Sequence, residues 1–158
     1  MRSKGFILIE SIMAIVLGAI ISVVVSYYIV QSFNSWVFIN TQKSMEFSNR
    51  MAMYRMVRDI RTANTTANIL TFASGSFSFK DALNNTITYS QAGTTLYRNS
   101  DILAQDVVSP GGLAFTYMDS TGTITASRDS ISIVNISLSS MSGVNKFNNA
   151  SSARLRMR

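Results

Sequence analysis

From Ser11 to Val30 the sequence carries no charged residue. About 20 residues at roughly 1.5 Å each span about 30 Å, the thickness of a bilayer's hydrocarbon core. Ser11, Ser22 and Ser26 lie within the run, and a serine hydroxyl there can bond back to its own helix backbone. The stretch reads as a transmembrane helix. Arg2 and Lys4 precede it, and the next basic residue beyond it is Lys43. The positive flank stays cytoplasmic, so the body of the chain is expected outside, in the periplasm or beyond. The run exceeds the roughly 7–15 apolar residues of a cleaved secretory signal. No A-x-A-like site follows it, because the chain continues Ser26-Tyr27-Tyr28-Ile29-Val30-Gln31. The segment is expected to stay attached.

With 158 residues there is room for one domain. Cysteine and histidine are both absent. That excludes disulfides, thiolate nucleophiles, Cys/His zinc sites and imidazole bases. Charged residues make up only 14% against a usual value of about 25%. The deficit comes from the apolar run and from a body rich in uncharged polar residues: 24 Ser, 13 Thr and 12 Asn. The formal net charge is +6.

Glu10 is the anomaly. A carboxylate between Phe6-Ile7-Leu8-Ile9 and an uncharged span costs on the order of 2.5–3.5 kcal/mol at mid-helix and less near an end. Two readings follow. Glu10 snorkels to headgroups at the membrane edge, or it awaits a cation from another chain. The sequence Lys4-Gly5-Phe6-Ile7-Leu8-Ile9-Glu10 followed by an apolar helix resembles the prepilin motif of type IV pilins and type II secretion pseudopilins. The resemblance covers roughly residues 1 to 30. It implies a basic leader cut between Gly5 and Phe6, N-methylation of Phe6, and pairing of Glu10 with the N-terminal amine of a neighbouring subunit. It also implies a pilin-like fold. Many major pilins have a proline in the apolar helix and a cysteine pair near the end. This chain has neither, which favours a minor pilin or pseudopilin.

From Gln31 to Ala63 there is no proline or glycine, and helix formers are frequent. Phe38, Met45, Ala52, Met56, Ile60 and Ala63 share one helical face, which Phe47, Met51 and Tyr54 are expected to widen. Lys43, Arg50, Arg55, Arg58 and Arg61 make the segment basic. One helix is expected from Phe6 to near Ala63, about 87 Å at 1.5 Å per residue. Met45, Met51, Met53 and Met56 suit either an adaptable docking surface or a core face against a sheet; the core face is adopted. Arg58-Asp59-Ile60-Arg61-Thr62-Ala63 resembles the helix end of W-type minor pilins and J-type minor pseudopilins.

Beyond Asn68 the pattern shortens to alternating runs: Ser76–Phe79, Thr86–Tyr89, Thr94–Arg98, Leu113–Tyr117, and Ile131 onward. Gly, Asn and Ser turns separate them, which implies an antiparallel sheet. One face would cover the helix and a Ser/Thr face would meet water. Ile131 and Ile133 are out of phase with Val134, Ile136 and Leu138, so a β-bulge near Ile133 and Val134 is expected.

Few other residues suggest chemistry. Asp101, Asp106, Asp119 and Asp129 read as loop and turn formers, and the oxygen-ligand spacing of a calcium loop is missing around Asp119. Arg154, Arg156 and Arg158 alternate with Leu155 and Met157 and share one face of a strand. They either protect an edge strand or contact nucleic-acid phosphates; the first is adopted and a nucleic-acid partner is not expected.

The expected fold class is therefore α+β, a long N-terminal helix packed on an antiparallel β-sheet. The expected divisions are residues 1–5 as cytoplasmic leader, 6–30 as the transmembrane half-helix, 31–67 as the amphipathic half-helix and 68–158 as the sheet domain. The expected role is that of a structural subunit, not an enzyme, needing no metal or cofactor. What the resemblance implies is a subunit of a type IV pilus-like filament, in a secretion pseudopilus or a DNA-uptake pilus. Its partners would be other pilin or pseudopilin subunits, a prepilin peptidase, an inner-membrane assembly platform and the lipid bilayer. Its route would run from a single-pass position in the bacterial inner membrane to a filament at the cell surface. The alternative is a non-polymerising, single-pass, membrane-anchored binding or sensing domain.

Overall fold

A computed structural model of the chain describes residues 3–63, 65–143 and 145–156, with side chains from residue 8 onward. Helix α1 runs Ser3–Ile60. The segment is free of proline, and three of its hydroxyls bond back to the backbone one turn earlier: Ser22 Oγ donates to Gly18 O at 2.8 Å, Ser26 Oγ to Ser22 O at 2.7 Å and Thr41 Oγ1 to Val37 O at 3.0 Å. Hydroxyls bonded back in this way present no free donor to an apolar surrounding. The chain divides into two units, Met1–Thr41 and Gln42–Arg158.

In the second unit α1 buries Met45, Asn49, Ala52, Met53, Met56 and Ile60, spaced so that they fall on one helical stripe. Phe47, Met51 and Tyr54 lie outside that stripe and are exposed, so they do not widen the packed face. Phe38, in the first unit, is exposed as well. The core stripe turns through Asn49 instead, a polar residue that hydropathy alone passes over. The helix closes with Thr62 N–H and Thr62 Oγ1 both donating to Asp59 O, at 2.9 and 2.6 Å.

The alternating segments form two antiparallel sheets where one was expected. The first is a meander of β1 (Ile69–Ala73), β2 (Ser76–Lys80), β3 (Thr86–Ala92), β4 (Thr95–Arg98) and β5 (Asp101–Ala104). The second holds β6 (Leu113–Met118), β7 (Ile133–Ser142) and β8 (Asn145–Arg154). Asp101 therefore opens a strand rather than lying in a loop. Tight turns join neighbours; at Asn84 (φ 65°) and Gly93 (φ 59°) the chain takes left-handed backbone, which asparagine and glycine tolerate best.

Both sheets contribute to one core. Phe77 lies 5.6 Å from each of the Phe115 and Tyr117 rings, centroid to centroid. Tyr117 Oη donates to Ala73 O at 2.8 Å, and Phe115 N–H to Ser74 O at 2.7 Å. The Gln91 amide adds a polar tie, donating to Val108 O at 2.7 Å and accepting from Leu113 N–H at 2.9 Å.

β7 contains no bulge. Its pairing with β6 and β8 is unbroken from Ile133 onward, with Val134, Ile136 and Leu138 buried. The phase change seen in the sequence arises earlier. Ile131 follows the 3-10 turn Arg128–Ser130 and is buried from outside the strand. Register shifts occur instead at Ile69/Thr71 in β1 and Leu96/Tyr97 between β4 and β5.

Candidate functional site

Between Leu8 and Gln42 the only charged side chain is that of Glu10. Leu8, Ile9, Ile12, Met13, Ile15 and Leu17 around it are all exposed, and the apolar side chains stay exposed to Ile39. Among the described residues this is the one helix long and apolar enough to cross a membrane. Met13 and Ala14 stand one turn beyond Glu10 on its own face, so its flank in that direction is apolar. No described basic residue stands within ion-pair distance of it. The other expected processing and topology residues cannot be placed in detail: Arg2 lies outside the described residues, as do the side chains of Lys4 and Phe6, while Lys4, Gly5 and Phe6 belong to α1 by backbone.

Aromatic residues gather at the far end of the span, Tyr27 and Tyr28 within its last turn and Phe33 and Trp36 just beyond it. Tyr27 and Tyr28 meet edge to face at 6.0 Å, Gln31 Nε2 donates to Tyr27 Oη at 3.2 Å, and Phe33 stacks with Trp36 at 6.2 Å. From Glu10 to Tyr28 the helix rises about 27 Å. A polar mark and an amphipathic aromatic group thus bracket an uncharged length close to that of a bilayer core. The sequence reading passed over this cluster, although two tyrosines and a tryptophan beside the apolar run were a signal for it.

Two buried polar groups were also missed. Asp59 Oδ2 accepts from Arg98 Nε at 2.8 Å and from Tyr89 Oη at 2.9 Å, while Arg58 approaches Oδ1 at 3.5 Å. The group ties the end of α1 to β3 and β4. Burial, reinforced by the Asp59 charge, pushes the Tyr89 phenol above its ordinary range. Partial burial works against the charge on Arg98, but its bonds to Asp59 and Tyr89 outweigh that and raise it. Earlier on the helix, Ser140 Oγ donates to Asn49 Oδ1 at 2.9 Å, and the buried Asn49 Nδ2 finds no hydrogen-bond partner among the described residues. An acidic residue one turn past Met56 and next to Ile60 was the available signal for Asp59. Nothing local marked Arg98 as its partner.

Of the remaining candidates, Asp119 sits in a turn. Asp119 Oδ1 accepts the Thr121 hydroxyl at 2.6 Å and the N–H groups of Thr121 and Thr123 at 2.8 and 3.0 Å. The Thr121 hydroxyl, then the Thr123 N–H, hold this carboxyl below its usual range. Among the described residues no three acidic, His or Cys side chains gather into a metal-binding group. Arg154 closes β8 and is exposed, Leu155 is buried, and Arg156 is exposed on the opposite side from Leu155. Arg158 lies outside the described residues. No family model, curated protein or solved structure matches this chain.

Proposed function

We propose that the chain is a minor pilin or pseudopilin, a structural subunit rather than an enzyme, which joins a filament through its N-terminal helix. The observation that carries this reading is Lys4-Gly5-Phe6 with Glu10, running directly into an uncharged helix. A long apolar helix followed by an α+β body supports it. Arg2 and Lys4 hold the N-terminus in the cytoplasm. A prepilin peptidase cuts after Gly5, where no side chain hinders approach to the backbone, and Phe6 is methylated.

Cleavage leaves an amine on Phe6 at the edge of the apolar span. Unpaired in an apolar filament core, that charge is costly, and the Glu10 carboxylate of a neighbouring subunit neutralises it. Glu10 lies four residues past Phe6, about 6 Å along the axis. A neighbour displaced by about that distance brings its amine level with this carboxylate, so the pair sets register as well as charge.

Mass spectrometry of filament-fraction protein tests the processing: a chain beginning at methylated Phe6 is expected, and an intact Met1 start in assembled material overturns the reading. Glu10→Ala and Glu10→Gln should both insert and be cut normally, then fail to enter sheared filaments. Normal processing with no filament fraction even for the wild-type chain in its own host would favour a non-polymerising anchored domain.

A further inference from the structure

We propose that the free edge of β8 takes up an extended acidic segment of a different polypeptide as a fourth strand of the second sheet. β8 runs Asn145–Arg154 at the end of the order β6-β7-β8. Its pairing with β7 is unbroken over all ten residues. Leu155 N–H donates to Ser132 O at 2.9 Å, which sets the phase of the ladder. In an antiparallel pair, hydrogen-bonded and non-bonded pairs alternate, so the odd-numbered residues of β8 bond to β7. The N–H and C=O groups of Lys146, Asn148, Ala150, Ser152 and Arg154 therefore point away from the sheet. Among the described residues none of these groups meets a backbone partner, and all five residues are exposed.

The other sheet edges are closed or blunted. On β6, the outward groups of Leu113, Phe115 and Tyr117 meet the Gln91 side chain, Ser74 O and Thr125 N–H. β1 and β5 have five and four residues, and each carries a register shift. Bulges and short length are common devices against edge pairing. β8 has neither, and no proline. The charge expected to protect this edge leaves its length open: within β8, charges stand only at the two ends, Lys146 and Arg154, with uncharged Phe147 to Ala153 between them. An edge so arranged offers main-chain hydrogen bonds along its length and charge at fixed positions, which is how strand addition recognises a partner.

Charge decides the occupant. Antiparallel pairing of two copies of β8 about Ala150 sets Lys146 of one copy opposite Arg154 of the other, and parallel pairing sets each basic residue against itself. Like charges directly opposite are destabilising. A strand with acidic residues at both ends meets Lys146 and Arg154 in either direction, and its alternate side chains lie over Asn148, Ala150 and Ser152. The assignment does not depend on how α1 is used.

The test uses the full chain in detergent micelles and the labelled peptide Asp-Thr-Val-Thr-Val-Thr-Val-Thr-Asp, followed by fluorescence anisotropy. Saturable binding is expected, with the peptide ended by Lys in place of Asp about tenfold weaker. Ala150→Pro removes an outward N–H that β7 does not use and should reduce binding about tenfold, with circular dichroism unchanged. Lys146→Glu with Arg154→Glu should reverse the preference in favour of the Lys-ended peptide, a readout that does not rely on the proline variant folding. Equal affinity for the two peptides, or no binding, overturns the proposal. So does concentration-dependent self-association that Ala150→Pro abolishes, which would make the occupant a second copy.

Discussion

Asp59 holds Arg98 and Tyr89 on a single carboxylate oxygen, so its removal strands a guanidinium whose side chain is only 20% exposed. Breaking a buried pair from one side costs about 3–5 kcal/mol. Because Arg98 keeps some access to water, Asp59→Ala should cost about 3 kcal/mol, and Asp59→Asn less, since it keeps an acceptor for Tyr89. Urea denaturation midpoints of the two variants would show that order. The same core makes stability sensitive to alkali. Burial holds the Tyr117 phenol above its ordinary value of 10.0, and burial with the Asp59 charge does so for Tyr89. The unfolded chain then releases these protons first, so it binds fewer protons than the native state once the pH passes about 10. Stability should fall as the pH rises through and beyond that point. Tyr117→Phe should lower stability near neutrality by about 1 kcal/mol, through loss of the bond to Ala73 O, yet flatten the decline above about pH 10. Denaturation midpoints at about pH 8 and pH 11 measure both effects.

At the scale of elements, α1 illustrates what periodicity leaves undecided. Two stripes at helical spacing compete beyond Gln42: Met45, Ala52, Met56 and Ile60, and Phe47, Met51 and Tyr54. Their residue types are alike, and only packing buries the first and leaves the second in water. Met56→Ala should therefore cost about 2–5 kcal/mol by opening a cavity. Tyr54→Ser should shift the urea midpoint by an amount equivalent to no more than about 0.5 kcal/mol. Equal losses would place Tyr54 in the core. In β7 the strand alternation of Val134, Ile136 and Leu138 was readable, but the expected bulge was not found. A buried residue just before a strand, Ile131, mimics a phase slip inside it.

For the molecule as a whole, the division at Thr41/Gln42 predicts separable behaviour. The buried hydrophobic core lies entirely within the second unit, so a chain beginning at Gln42 should fold, stay soluble and show the β-rich circular dichroism of the two sheets. The full chain should sediment with membranes and resist alkaline carbonate extraction. Release of the full chain by carbonate would count against a membrane-spanning α1.

Helix continuity, the uncharged span and the positions of most strands were present in the order of residues, because each depends on neighbours within a turn or a pleat. A missing proline, a run without charge and a period of two are local facts, and water and the backbone act on them locally. Arg98 and Tyr89, 39 and 30 residues from Asp59, and Ser140, 91 residues from Asn49, carry no such mark. Neither does the separation into two sheets, nor the exposure of β8's outer edge. These depend on which distant surfaces meet when the core closes, since a strand's free side is defined only by the strand it lacks.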